Sequence, residues 1–139
     1  MPISSILILA SATVIFTLGF AHLIYTFRGP KLTPRDPSLT VKLKSASLVI
    51  SNQTTMWNAW LGFNASHSLG AMLFGSIYGY LAVMQSTLLF GSVFLSLLGG
   101  VVLISYAVLG RLYWFSTPFR GIVLALILYL GGFSAALVA

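Results

Sequence analysis

The chain has 139 residues, of which 58% are hydrophobic and 6% are charged, whereas a soluble domain has about 25% charged residues. Seven lysines and arginines against one acidic residue give a net charge of +6, but these cations lie between long apolar runs and fit lipid headgroups better than a nucleic acid. The absence of cysteine excludes thiol chemistry, and a single acid excludes hydrolysis by paired carboxylates. We therefore predict one transmembrane domain over residues 1–139 with no nucleic-acid partner.

The first apolar run extends from residue 3 to residue 27 and carries no charge. It is long enough to cross about 30 Å of hydrocarbon. It ends at Arg28-Gly29-Pro30, where a cation, a flexible residue and a helix breaker coincide. Because the N-terminus lacks the basic start of a secretory signal, we interpret this run as a retained first helix.

A polar stretch follows from residue 28 to residue 52, and prolines make its first part irregular. Asp36 before Pro37 is typical of a helix N-cap with proline at the first helical position. Apolar residues then recur at helical spacing, which predicts a short interfacial helix over about 37–50. Leu39, Val41 and Leu43 also fit the period-two alternation of a strand, and that alternative stays open.

Three further helices are predicted over about 54–84, 87–109 and 118–138. Asn52-Gln53-Thr54-Thr55 offers capping groups to the first of them. Only Gln85-Ser86 separates the first from the second, so these two must form an antiparallel hairpin. The predicted fold is all-α, an integral membrane four-helix bundle with a short interfacial helix in the first loop.

The distribution of cations predicts the topology. The first loop has five of them, the turn at Gln85-Ser86 has none, and the third connection has two. Four crossings put both basic loops on one side, which the positive-inside rule makes the cytoplasm. We therefore expect a bacterial inner-membrane protein with both termini on the non-cytoplasmic side. The residues predicted to meet lipid headgroups are Arg28, Lys31, Arg35, Lys42, Lys44, Arg111 and Arg120. The predicted aromatic anchors at the interface are Trp57, Trp60, Tyr113 and Trp114.

Small residues spaced by four occur on the later helices, and such pairs let helix backbones approach closely. They are Gly75 and Gly79, Ser96 and Gly100, with Gly131-Gly132 near the end of the chain. We expect them to pack helices within one chain in preference to forming a dimer.

The polar residues within the predicted spans are the candidates for a functional site. His22 lies on the first helix, and a polar cluster of Asn58, Asn64, Ser66 and His67 lies on the second. No acid occurs within a span, which argues against ion-coupled transport. Asn64 and His67 share a helix face and should turn toward the first helix, where His22 and Tyr25 are possible partners.

Two roles for these histidines stay open. One is an interhelical hydrogen bond, which membrane helices often use to associate. The other is axial ligation of a tetrapyrrole, haem or chlorophyll, by His22, His67 or both. Counting from the polar loop, the two histidines are expected to differ in depth, which counts against joint ligation. A serine–histidine hydrolase is disfavoured because sequence neighbours such as Ser66 and His67 face different ways on a helix.

The segments 33–37 (TPRDP) and 53–70 (QTTMWNAWLGFNASHSLG), with Gly19-Phe20-Ala21-His22 on the first helix, resemble a family of small bacterial inner-membrane proteins without an assigned activity. The resemblance covers most of the chain and implies a four-helix membrane protein. In architecture the chain is distantly similar to the small four-helix DoxX-like proteins.

The sequence thus predicts a non-enzymatic membrane protein, either a subunit or accessory protein of a membrane complex or a lipid-binding protein. The alternative is a tetrapyrrole-binding membrane protein that uses His22, His67 or both. An enzyme acting on a lipophilic substrate is the third possibility. Membrane lipids and other membrane subunits are the expected partners.

Overall fold

The computed structural model describes residues 1–138, and within them the chain forms six helices and two short strands. Among these described residues, four helices are long and apolar enough to cross a membrane. The predicted all-α class with four long apolar helices is therefore confirmed. In chain order the elements are α1 (Ile3–Phe27), α2 (Pro37–Ser45), β1 (Ser47–Leu48), β2 (Ser51–Thr55), α3 (Met56–Met84), α4 (Ser86–Gly91), α5 (Val93–Tyr113) and α6 (Ser116–Val138).

The end of α1 follows from Gly29. The backbone N–H of Arg28 still donates to the carbonyl of Ile24 at 2.8 Å, and Gly29 then takes a φ of 80°. A residue without Cβ adopts this left-handed conformation without steric cost, which is why glycine commonly ends helices. Pro30 lacks an N–H and cannot resume the helix. The basic loop therefore starts where the sequence predicts.

The predicted interfacial helix over 37–50 is too long. Asp36 is the N-cap of α2, as predicted, and accepts from the backbone N–H of Ser38 at 2.8 Å. The helix ends at Ser45, however, and β1 and β2 form an antiparallel hairpin. No residue of α2 is buried, so no tertiary packing stabilises a longer helix. The β-branched residues of the segment 49–55 favour extended backbone instead.

The hairpin also moves the start of α3 from residue 54 to Met56. The segment 52–54, predicted to cap this helix, is part of β2. Thr55 alone acts as a cap, because its Oγ1 accepts from the backbone N–H of Asn58 at 3.2 Å. The N–H of Met56 donates to the carbonyl of Ala46 at 2.8 Å and closes the hairpin.

The predicted helix over 87–109 is interrupted at Ser92 and extends further than predicted. Ser92 has extended backbone, and its hydroxyl accepts from the N–H of Leu95 at 3.3 Å, so it caps a new helix, α5. At the other end Gly110 is buried and stays helical, and α5 continues to Tyr113. α6 starts two residues before Pro118, because proline is tolerated in a first turn.

The chain divides into two compact units. The core unit comprises Met1–Leu18 and the chain from Ala71 onward, and the basic unit comprises Gly19–Gly70. The buried hydrophobic cluster belongs to the core unit, where α1, α3, α5 and α6 contribute, among others, Ile8, Ile15, Phe74, Leu103, Ile122 and Tyr129.

Close helix packing in the core unit depends on small residues. A Cβ on Gly75 would lie 2.7 Å from both the carbonyl oxygen of Ala12 and the Cβ of Phe16, so only glycine permits this approach of α3 to α1. The hydroxyl of Ser11 donates to the carbonyl of Ala125 at 2.7 Å and joins α1 to α6. Gly75 thus packs helices of the same chain, as expected.

Two tyrosines join three helices of the core unit. The Tyr78 hydroxyl donates to the carbonyl of Leu95 at 2.6 Å, and the Tyr129 hydroxyl donates to that of Ser96 at 2.9 Å. A Cβ on Gly99 would overlap the rings of both tyrosines. The residue on α5 that admits these rings is therefore Gly99. A Cβ on Gly100, which the sequence pattern singled out, would lie 4.0 Å from the Tyr129 ring, an ordinary contact distance.

Candidate functional site

The basic unit contains a pair of histidines that lie in contact. The Nε2 of His22 on α1 lies 2.9 Å from the Oδ1 of Asn64 on α3. The His22 and His67 rings meet edge to face, with centroids 5.5 Å apart and planes at 90°. Asn64 and His67 therefore turn toward the first helix and meet His22, as the sequence predicts. The Nζ of Lys31, and not a histidine, lies over the ring of Tyr25.

The orientation of Asn64 determines which nitrogen of His22 carries the proton. The Nδ2 of Asn64 donates to the carbonyl of Trp60 at 2.7 Å, so Oδ1 is left as the acceptor facing His22. The Nε2 of His22 must then be the donor. The chain's only acid, Asp36, lies outside the spans, so an amide oxygen and not a carboxylate orients the ring.

The other members of the predicted polar cluster do not join the pair. Asn58 is exposed, and Ser66 is exposed with its hydroxyl donating to the carbonyl of Phe63 at 3.0 Å. Ser68, in contrast, is fully buried and donates to the carbonyl of Asn64 at 2.9 Å. The helical period alone distinguishes these serines, because Ser68 lies four residues after Asn64, whereas Ser66 lies on another face.

The contact between the two rings bears on the tetrapyrrole hypothesis. Two axial ligands lie on opposite faces of a macrocycle, and rings that touch each other leave no space for one between them. His22 and His67 therefore do not fit joint ligation in this arrangement. The difference in depth that the sequence suggests can be no larger than the 5.5 Å between the two ring centroids. Ligation from one face by a single histidine stays a prediction.

A second feature of the basic unit is an apolar pocket of about 370 Å³ between the first loop, α2 and the start of α3. The Nε1 of Trp60 donates to the carbonyl of Leu32 at 3.3 Å and ties the loop to α3. The predicted anchors Trp57 and Trp60 are therefore walls of a pocket. Its lining residues are Leu32, Thr33, Pro34, Leu43, Trp57 and Trp60.

Cations flank this pocket in the sequence. Lys31 precedes the lining segment 32–34, Arg35 follows it, and Lys42 and Lys44 lie on either side of Leu43. The Nζ of Lys44 lies 5.6 Å from the centre of the Trp57 ring, and the Nζ of Lys31 lies 3.8 Å from that of Tyr25. An ammonium group over an aromatic face is attracted to it by the ring quadrupole.

The single acid of the chain offsets only one of the five Lys/Arg charges of the basic unit, and both of its oxygens serve the helix cap. Asp36 Oδ1 accepts from the backbone N–H of Ser38 at 2.8 Å, and Asp36 Oδ2 accepts from the Ser38 hydroxyl at 2.9 Å. The basic unit thus combines five Lys/Arg, including Arg28, with one carboxylate that is already hydrogen-bonded.

The remaining predicted headgroup residues belong to the core unit. Arg111 and Arg120 line a pocket of about 310 Å³ together with Gly110, Trp114, Ser116 and Phe119. Of the two predicted anchors here, Tyr113 is exposed, whereas Trp114 is half-buried with its ring centroid 6.4 Å from that of Tyr106.

No family model, curated protein or solved structure matches this chain. Among residues 1–138, no group of three or more His, Cys, Asp or Glu side chains is arranged to hold a metal ion.

Proposed function

We propose that this is a non-enzymatic integral membrane protein that binds an anionic phospholipid of the cytoplasmic leaflet through its basic unit. The observation that carries the proposal is the apolar pocket between Trp57 and Trp60, which has cations on both sides of its lining segments. A phospholipid has an acyl chain for the pocket and a phosphate for the cations. Each Lys or Arg near such a headgroup layer contributes about 1 kcal/mol of attraction.

The four long apolar helices support insertion into a bilayer. If they all cross, both basic loops lie on one side, and the positive-inside rule supports the cytoplasmic side of a bacterial inner membrane. Reporter fusions within the Gln85-Ser86 turn and after Ala139 should then report the periplasm, and a fusion near Lys42 should report the cytoplasm. A cytoplasmic signal from the C-terminal fusion would remove one crossing and reject this topology.

Lipid binding is tested with the full chain in nanodiscs that contain phosphatidylglycerol and phosphatidylcholine. Native mass spectrometry should show phosphatidylglycerol retained in preference to phosphatidylcholine. Replacing both Lys42 and Lys44 by glutamine should weaken this retention by roughly thirtyfold, because two charges at about 1 kcal/mol each are removed. Equal retention of the two lipids by the unaltered protein would reject the proposal.

A matched pair of variants separates pocket binding from general attraction to a charged surface. Leu43 lines the pocket, and Leu39 lies on the same helix with a half-exposed side chain and no part in the lining. Leu43→Gln should lower the retention of phosphatidylglycerol, whereas Leu39→Gln should not. The same loss in both variants would show that charge alone holds the lipid.

Tetrapyrrole binding is the second candidate, favoured by the presence of two imidazoles at one place within the candidate spans. Because the rings touch, only ligation by one histidine from one face fits. The absorption spectrum of protein purified from native membrane tests it. A haem or chlorophyll band that is lost in His67→Gln or His22→Gln would support this candidate, and a spectrum without such a band would reject it.

A further inference from the structure

We infer that the core unit has a binding site of its own for a phosphate monoester, the headgroup of a lipid such as phosphatidic acid. The site is the pocket between the end of α5 and the start of α6, which has a volume of about 310 Å³ and is lined by both Arg111 and Arg120. Because it belongs to the core unit, it is separate from the pocket of the basic unit, and the inference does not rest on lipid binding there.

Close packing at Gly110 brings the two arginines to one place. A Cβ on Gly110 would lie 3.6 Å from the Cα of Phe119 and 3.3 Å from the Trp114 ring, so the end of α5 and the start of α6 are in contact. Each arginine is the next residue along the chain, Arg111 on α5 and Arg120 on α6. Their long side chains therefore leave from neighbouring backbone and line the same pocket.

No acidic residue of the core unit neutralises these two charges. The chain's single acid, Asp36, belongs to the basic unit, and both of its oxygens already accept from Ser38. The first turn of α6, where an acid would favour the helix, contains none. Because a guanidinium group does not lose its proton in proteins, the pocket offers two permanent positive charges to an anion.

Charge and donor geometry favour a phosphate monoester over a phosphodiester. A monoester carries about 1.5–2 negative charges at pH 7 and three terminal oxygens, whereas the diester of a common phospholipid carries one charge and two such oxygens. A guanidinium binds phosphate through two parallel N–H donors, so two arginines match the monoester better in both charge and acceptors. Ser116, which also lines the pocket, adds a hydroxyl donor.

The remaining lining and the location favour a lipid as the carrier of this phosphate. Trp114 and Phe119 supply aromatic surface beside the arginines, and inorganic phosphate has no apolar part to contact it. Arg111 lies in the last turn of α5, and Arg120 lies within the first two turns of α6. Both helices are long and apolar enough to cross a membrane. If they cross, the pocket at their ends lies at the depth of the lipid headgroups.

The test measures which lipid the full chain retains in nanodiscs that contain equal amounts of phosphatidic acid and phosphatidylglycerol with the same acyl chains. Native mass spectrometry should show about tenfold preferential retention of phosphatidic acid, a difference of about 1.4 kcal/mol, which one additional charge-assisted hydrogen bond supplies. Replacing both Arg111 and Arg120 by glutamine should abolish this preference.

A matched pair of substitutions removes the same charge from the basic unit. Replacing both Arg28 and Arg35 by glutamine should weaken the retention of both lipids alike and keep the preference for phosphatidic acid. Total retention therefore reports on the basic unit and the preference reports on the core unit, so failure of one site is distinguishable from failure of the other. The same loss of preference in both glutamine pairs would show that net charge alone selects the lipid, and it would overturn the inference.

Two further measurements test the geometry and the source of the phosphate. Replacing both Arg111 and Arg120 by lysine keeps the charges but not the forked donors, so the preference should fall while the circular dichroism stays helical. Added inorganic phosphate should not displace the lipid. Equal retention of the two lipids by the unaltered protein would overturn the inference. A full preference in the lysine pair would overturn it too, and so would displacement by inorganic phosphate, because the pocket would then recognise the free ion.

Discussion

The core unit and the basic unit differ in the kind of residues that they bury. All the hydrophobic residues in the buried cluster belong to the core unit, and five of them come from α3 alone, Ala71, Phe74, Tyr78, Leu81 and Ala82. In the basic unit the fully or nearly fully buried residues are Gly19, Thr26 and Ser68. One long helix, α3, therefore changes from an apolar packing face to a polar one near residue 70.

This difference indicates where a ligand can act without unfolding the chain. In the core unit, close contacts at glycine and hydrogen bonds from Ser11, Tyr78 and Tyr129 fix the helices against one another. In the basic unit, one hydrogen bond joins His22 to Asn64, and another joins Trp60 to the first loop. Interhelical hydrogen bonds in membranes average well below 2 kcal/mol, so the basic unit can rearrange around a ligand.

The largest expected effect comes from adding volume to the core unit. Gly75→Val should destabilise the protein by about 3 kcal/mol, because its Cβ would meet the Ala12 carbonyl and the Phe16 Cβ, and backbone cannot give way cheaply. Gly62→Val is the control, since nothing lies within 4 Å of a Cβ at that position. Thermal unfolding in detergent, followed by circular dichroism, measures both. Equal stability of the two variants would remove the distinction between the units.

A smaller effect is expected from the tyrosine bonds of the core unit. Tyr129→Phe should cost about 1–2 kcal/mol, because the carbonyls of Leu95 and Ser96 lose a buried donor without any change in ring packing. Tyr80→Phe, at a side chain that is 57% exposed, should change stability by less than about 0.5 kcal/mol. If the Tyr129 variant were as stable as the Tyr80 variant, the hydroxyl would not hold α6 to α5.

The sequence predicts the long helices well because each is a run of about 20 apolar residues, a length that only a membrane requires. It predicts their interruptions poorly. Ser92 interrupts the predicted helix because its side chain caps α5. In the sequence it looks like any other serine in an apolar run. The hairpin follows Ser45 because α2 buries no residue that would favour a longer helix. The spacing of apolar residues in the sequence does not show whether a segment will be buried.

The meeting of His22 with Asn64 and His67 was predictable because a polar group in a span must find a partner. The burial of Ser68, and not of Ser66, was predictable for the same reason, because Ser68 lies four residues after Asn64 on the same helix face. The sequence could not predict the pocket, whose lining residues come from the first loop, α2 and α3. Aromatic residues and cations were each expected at the interface, but their grouping depends on the tertiary fold.

A moderate effect is expected in the basic unit from Asn64→Leu. This change removes the acceptor for His22 and the donor to the Trp60 carbonyl, and it should cost about 1 kcal/mol. Asn58→Leu on the same helix should cost less, because Asn58 is exposed. His67→Gln, which keeps a donor and an acceptor, should preserve the fold better than His67→Leu. If all four variants were equally stable, the hydrogen bonds of Asn64 and the histidine pair would not contribute to the stability of the fold.

The smallest effect on stability is expected from Trp60→Phe, which also tests whether the loop and the histidine pair are independent. The substitution keeps an aromatic wall of the pocket but removes the Nε1 donor to the Leu32 carbonyl, so stability should fall by about 0.5–1 kcal/mol. A nitroxide label at Thr33 should become more mobile. The Trp60 backbone carbonyl still accepts from Asn64 in this variant, so the imidazole NMR signals of His22 should not shift. The combination of a mobile loop with unchanged histidine signals would show that the pocket and the histidine pair are separate sites on one unit, whereas a shift of both would show that Trp60 couples them.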